Sequence, residues 1–91
     1  MSRKRVHVYV SGRVQGVYYR ATTRDEATER GVDGWVKNLD DGRVEAVFEG
    51  EPDAVEEMVD FCYEGTSMAN VSTVEVTEEE PDGLDGFEVK W

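Results

Sequence analysis

The chain has 91 residues, with 21 Asp and Glu against 10 Lys and Arg, for a formal net charge of -11. That length supports one domain, spanning 1–91, which buries roughly 60–65% of the surface its unfolded chain exposes. A hydrophobic fraction of 38% is too high for a disordered acidic chain, and no apolar run approaches the ~20 residues of a membrane span.

One cysteine excludes an internal disulfide and a cysteine-rich zinc site, which fits a reducing interior. The start, MSRKRVHVYV, is basic but lacks the apolar core of a signal peptide. These features predict a soluble cytoplasmic domain. Residues 1–43 hold nine bases and six acids, whereas residues 44–91 hold fifteen acids and one base, Lys90. The first twenty residues carry Arg3, Lys4, Arg5, Arg13 and Arg20 and no acid. We read this acid-free stretch as functional, the place where an anionic ligand approaches a chain that otherwise repels it. A broad nucleic-acid footprint is excluded, because it needs basic residues clustered over a surface. Small size and strong like charge predict a monomer.

Lysine is scarce and acids are spread over nearly every element, as in proteins of salt-accumulating halophiles. Self-repulsion in such a chain weakens the compact state until salt screens it. The expected result is a thermal midpoint that rises as KCl goes from dilute to molar, measured by circular dichroism. A flat or falling midpoint contradicts the reading.

In chain order, residues 5–11 alternate, with Val6, Val8 and Val10 on one face and His7 and Tyr9 on the other: a half-buried strand. A loop with Gly12 and Gly16 follows. From about Tyr19 to Arg30 the period becomes helical, Tyr19, Thr23 and Ala27 recurring every four residues before Gly31. Strands over about 34–39 and 43–49 flank Asp40-Asp41-Gly42, a hairpin signal. Pro52 opens a second helix, whose Val55, Met58, Val59 and Cys62 form one apolar stripe. A strand near 71–77 and a terminal alternation of Phe87, Val89 and Trp91 complete the chain. The lone His7 reads as a surface strand position, Cys62 as a buried inert thiol, and Glu78–Glu80 as a solvated strand end.

The order β-α-β-β-α-β plus a short strand predicts an α+β fold: a ferredoxin-like two-layer sandwich, with a mostly antiparallel sheet and two helices on one face. This architecture hosts binders, chaperones and enzymes alike, so function rests on the site. The absence of Cys-x-x-Cys opposes a metal chaperone, and the acidic second half opposes an RNA-binding variant.

The segment GRVQGVYYR at 12–20 joins a strand end to a helix start. Two glycines permit tight turns in which several backbone N–H groups share one concavity, and the helix terminus adds partial positive charge. Arg20 adds a guanidinium fork. The arrangement suits a phosphoryl group, although two glycines and an arginine also occur in ordinary connections. Without Gly-Lys-Ser/Thr it is not a nucleotide P-loop.

VSGRVQGVYYR at 10–20, followed by GVDGWVKNLDDGRVEAVFEG at 31–50, resembles the acylphosphatase family, as does the ending PDGLDGFEVKW. The resemblance covers essentially the whole chain. It implies metal-independent and cofactor-free hydrolysis of a small-molecule acyl phosphate, a carboxylic–phosphoric mixed anhydride, to carboxylate and inorganic phosphate. It carries the family's phosphate-binding arginine to Arg20 and its water-orienting asparagine to Asn38. The phosphate-cradling loop becomes Arg13, Val14, Gln15, Gly16, Val17, Tyr18 and Tyr19. Tyr19 departs from the more usual Phe, so its hydroxyl needs a partner if buried. Thr66-Ser67 stands where many members have proline. No residue is an obvious general base near this site, so the substrate's own phosphate oxygen is a candidate proton acceptor, and the sequence leaves the acceptor open. The alternative is a non-catalytic ferredoxin-like module that binds a small phosphate-bearing ligand.

Overall fold

A computed structural model describes residues 3–16 and 18–90. The elements are β1 (Lys4–Arg13), α1 (Tyr19–Glu29), β2 (Asp33–Asn38), β3 (Val44–Gly50), α2 (Pro52–Glu64), β4 (Asn70–Glu79) and β5 (Phe87–Lys90). The sheet order is β4-β1-β3-β2-β5; all pairs are antiparallel except β2 with β5. Trp91, the last position of the expected terminal alternation, lies outside the described residues.

Alternation in β1 sends Val6, Val8 and Val10 into the core, where they meet Val36, Val44, Ala46 and Phe48 of the sheet. The helices supply Tyr19 and Ala27 from α1 and Val55, Met58 and Cys62 from α2 to the same cluster. Both helices therefore cover one face, as the periodicity predicts. Val59, expected in the α2 stripe, packs at its margin. Cys62 is buried, and that burial pushes its thiol up to about 12, so it stays protonated and inert. The hairpin turn forms at Asp41, whose side chain accepts a hydrogen bond from the Arg43 amide at 3.1 Å.

Two strands run longer than their periodicity indicates. Gly12, expected in the loop, is part of β1 at a register shift after Ser11. Its φ is +122°, and a Cβ there would lie 2.3 Å from the Asn70 carbonyl oxygen, so the close approach of β4 demands glycine. Strand β4 continues through Glu78 and Glu79. Glu79 is not merely solvated: it accepts from Arg5 Nε at 3.0 Å and meets His7 Nδ1 at 2.9 Å. The His7 ring is accordingly half-buried, with Nε2 2.5 Å from Glu45 and its face stacked on Tyr9.

The basic start of the chain is spent largely on structure. Arg3 bonds Asp33 and Glu49, Lys4 bonds Glu56, and Arg5 bonds Glu49 and Glu79. The expectation that the whole acid-free stretch serves an anionic ligand is thus corrected. Because β1 lies between β3 and β4, its Arg5 meets acids of both strands, while Lys4 reaches Glu56 of α2.

Glu49 is the most enclosed of those acids, with its side chain fully buried. It accepts from the backbone amides of Asp82, Gly83 and Leu84 at 2.9, 2.8 and 3.1 Å, besides the two arginines. Burial by itself would raise its pKa, but these donors outweigh burial and hold the carboxyl below its ordinary value. The Glu45 and Glu79 carboxyls are held low as well. At Glu45, bonds from His7 and Tyr9 outweigh burial; at Glu79, the bonds from Arg5 and His7 dominate. A carboxyl depressed by folding contributes stability above its unfolded pKa and loses it as pH falls through the folded value. The unfolded reference is 4.5, so stability falls progressively below that pH. Glu49→Gln is expected to cost about 3 kcal/mol at pH 7, read by urea unfolding at fixed KCl, with the gap to the parent closing in acid. A pH-independent gap overturns the assignment.

Candidate active site

Between the end of β1 at Arg13 and the start of α1 at Tyr19, the described residues are 14–16 and 18. Val14 is buried and anchors the loop; Gly16 and Tyr18 both take left-handed backbone angles, at φ +72° and +61°. For Gly16 this conformation is free; for Tyr18 it is strained, and it caps α1 without any side-chain hydrogen bond. The first amides of α1 therefore lack a side-chain cap and the first turn carries no acid, which suits an anion. Val17 lies outside the described residues.

Arg20 sits in the first turn of α1, and its Nη1 donates to the Lys90 carbonyl oxygen at 3.0 Å. That bond ties the guanidinium to β5, the strand parallel to β2. Asn38 is the last residue of β2, paired with Val44. Its Oδ1 is buried and has no hydrogen-bond partner, alone in this respect among the described side chains. A buried, unpaired acceptor costs about 1–3 kcal/mol, so it marks a place kept for a donor.

Arg20 and Asn38 open on the same groove, of about 780 Å³, together with Val14, Gly16, Tyr18 and Tyr19. Two of the expected loop residues do not line it. Arg13 belongs to the end of β1, in register with Asn70. Gln15 turns its side chain to the β2–β3 hairpin, where one amide nitrogen donates to the Leu39 and Arg43 carbonyls at 2.8 and 2.9 Å. That clamp joins the loop to the hairpin that carries Asn38.

The Tyr19 hydroxyl finds the partner its burial requires, donating to the Cys62 carbonyl at 2.8 Å. Burial, with the neighbouring Cys62, pushes the phenol well above its ordinary pKa, so it is a neutral strut between helices and no proton carrier. Thr66 holds its loop by accepting from the Ala69 amide at 3.0 Å, a turn made without the proline common in the family. Among the described residues no cluster of three or more His, Cys, Asp or Glu is arranged to hold a metal ion. No described helix is long and apolar enough to cross a membrane.

Sequence reasoning missed the part β5 plays. Phe87 and Val89 wall the groove, and the Lys90 carbonyl fixes Arg20. Nothing local announces that a four-residue terminal segment pairs beside β2.

The fold and groove define a class: a ferredoxin-like α+β sandwich with an uncapped strand–loop–helix junction facing a buried amide. The acylphosphatase family model matches residues 6–89. Acylphosphatases of Haloarcula marismortui and Natronomonas pharaonis, both halophilic archaea, are 67% and 64% identical, over 100% of both chains and over 97% and 96%, respectively. The crystal structure of acylphosphatase from Bacillus subtilis superposes with a TM-score of 0.93 at 37% identity, over 97% of this chain and 99% of that one. An acylphosphatase from Coxiella burnetii reaches the same TM-score at 40% identity, covering 97% and 93%. The chain belongs to the acylphosphatase family, and it is a hydrolase acting on acid anhydrides, the acyl phosphates.

Proposed function

We propose that Arg20 and the backbone amides of residues 13–19 bind the phosphoryl group of an acyl phosphate, and that Asn38 orients the attacking water. The convergence of Arg20 and Asn38 on one groove at the uncapped end of α1 carries this reading, and the Asn38 Oδ1 without a partner beside it supports it. Phosphoryl transfer has a loose transition state, so catalysis is chiefly positioning and charge stabilisation. The Asn38 amide hydrogen-bonds the water and aims its oxygen at phosphorus, in line with the leaving carboxylate. The water oxygen bonds phosphorus while the bond from phosphorus to the acyl oxygen breaks with its electron pair. A carboxylate leaves without needing an acid, and the water's proton passes to a phosphate oxygen.

The reaction runs in a cytoplasmic monomer on a free small molecule. The test is hydrolysis of benzoyl phosphate in high KCl, with and without a chelator. Turnover that survives chelation and is inhibited by inorganic phosphate supports the reading. Binding of phosphate without turnover replaces it with the non-catalytic module.

A further inference from the structure

The groove is far larger than a phosphoryl group and falls within the ~300–1,000 Å³ of sites that enclose whole small ligands. Beyond Arg20 its walls are Ala21 of α1 and Phe87 and Val89 of β5, an apolar channel for the carbon chain of the acyl group. Arg24 lines it too. It follows Arg20 by four residues on α1, so the two arginines rise from one helix face about 6 Å apart along the axis.

Resting on the reading above, we infer that Arg24 recognises a second carboxylate at the far end of the acyl group. The preferred substrates are then monophosphates of short dicarboxylic acids. Arg24 is available for that task. It is paired with the adjacent Asp25, with Nε and Nη2 sharing one oxygen at 3.3 Å, and the side chains are 48% and 69% exposed. Such a pair is worth little and is readily exchanged for a ligand carboxylate, which the planar guanidinium grips with two bonds. Glu88 also lines the groove but makes no ion pair with Arg24. With Glu88 in the wall and a chain charge of -11, a second negative charge is repelled unless a cation meets it.

The test compares succinyl phosphate with butyryl phosphate, equal in length and differing in the terminal carboxylate, at one KCl concentration. The parent is expected to favour succinyl phosphate about tenfold in kcat/KM, mostly through KM. In Arg24→Gln the ratio is expected to fall to one or below, and Arg24→Lys to recover part of it. A parent ratio of one or less overturns the inference, as does a ratio unchanged in folded Arg24→Gln. Hydrolysis of both phosphates without discrimination removes this inference alone; hydrolysis of neither removes the catalytic reading with it.

Discussion

Arg20→Ala is expected to lower kcat/KM for benzoyl phosphate by about 10³-fold or more, the scale of loss when an arginine that stabilises a transferring phosphoryl group is removed. Inhibition by inorganic phosphate should weaken in parallel, because in the proposed assignment the same guanidinium holds the same oxygens in ligand and transition state. Arg20 also donates to the Lys90 carbonyl, so the substitution loosens the C-terminal strand. A thermal melt separates the two roles. A single part-exposed hydrogen bond contributes about 1 kcal/mol, which cannot account for three orders of magnitude in rate. A folded Arg20→Ala with near-parent turnover would sink the assignment. Arg20→Lys should recover little, since a point charge cannot keep the fork on both the phosphoryl group and β5.

Asn38→Ala is expected to lower kcat by about 10²–10³-fold, the cost of deleting one preorganised hydrogen-bonding group at a reacting centre. The loss should fall on kcat and leave the inhibition constant of phosphate close to the parent's, because the role proposed for Asn38 is on the water and not the anion. Stability gives an independent readout. Most buried polar groups cost stability when truncated; here the Oδ1 is already without a partner, so removing it relieves a penalty and the melt should hold or rise. A variant that unfolds readily, or that loses phosphate affinity while keeping kcat, contradicts the water-orienting role. Asn38→Asp retains an acceptor but sets a negative charge beside the phosphoryl group, and should be as inactive as the alanine variant.

The two substitutions probe residues that stand eighteen positions apart and meet through the clamp at Gln15. Its two bonds to the hairpin carbonyls span the gap between the loop before α1 and the end of β2. The Lys90 carbonyl does the same for Arg20 from the other side of the groove. Behind Lys90, the buried carboxylate of Glu49 gathers the amides of residues 82–84 and so fixes the approach to β5. The site thus depends on acid–base pairing at the opposite end of the sheet, and acid that protonates Glu49 should loosen β5 and Arg20 along with it.

Much of this was legible in the residues alone. The period of two in β1 and the period of four in α1 name their buried faces, because a strand or helix exposes its own geometry in the spacing of apolar side chains. Asp40-Asp41-Gly42 announces its turn because the required backbone angles are local, and the blocks at 10–20 and 31–50 carry Arg20 and Asn38. What lay beyond the sequence depends on which distant segments become neighbours. The division of charge along the chain, basic first and acidic after, is undone when the sheet and α2 come together, so that Arg3 and Arg5 are neutralised by acids of later strands and Lys4 by Glu56 of α2. The placing of β5 beside β2, the orphaned acceptor of Asn38 and the shared groove of Arg20 and Arg24 are likewise properties of packing. Local spacing sets each element's shape and face. The partners across the sheet, and with them the charges that reach the substrate, are chosen when the whole core closes at once.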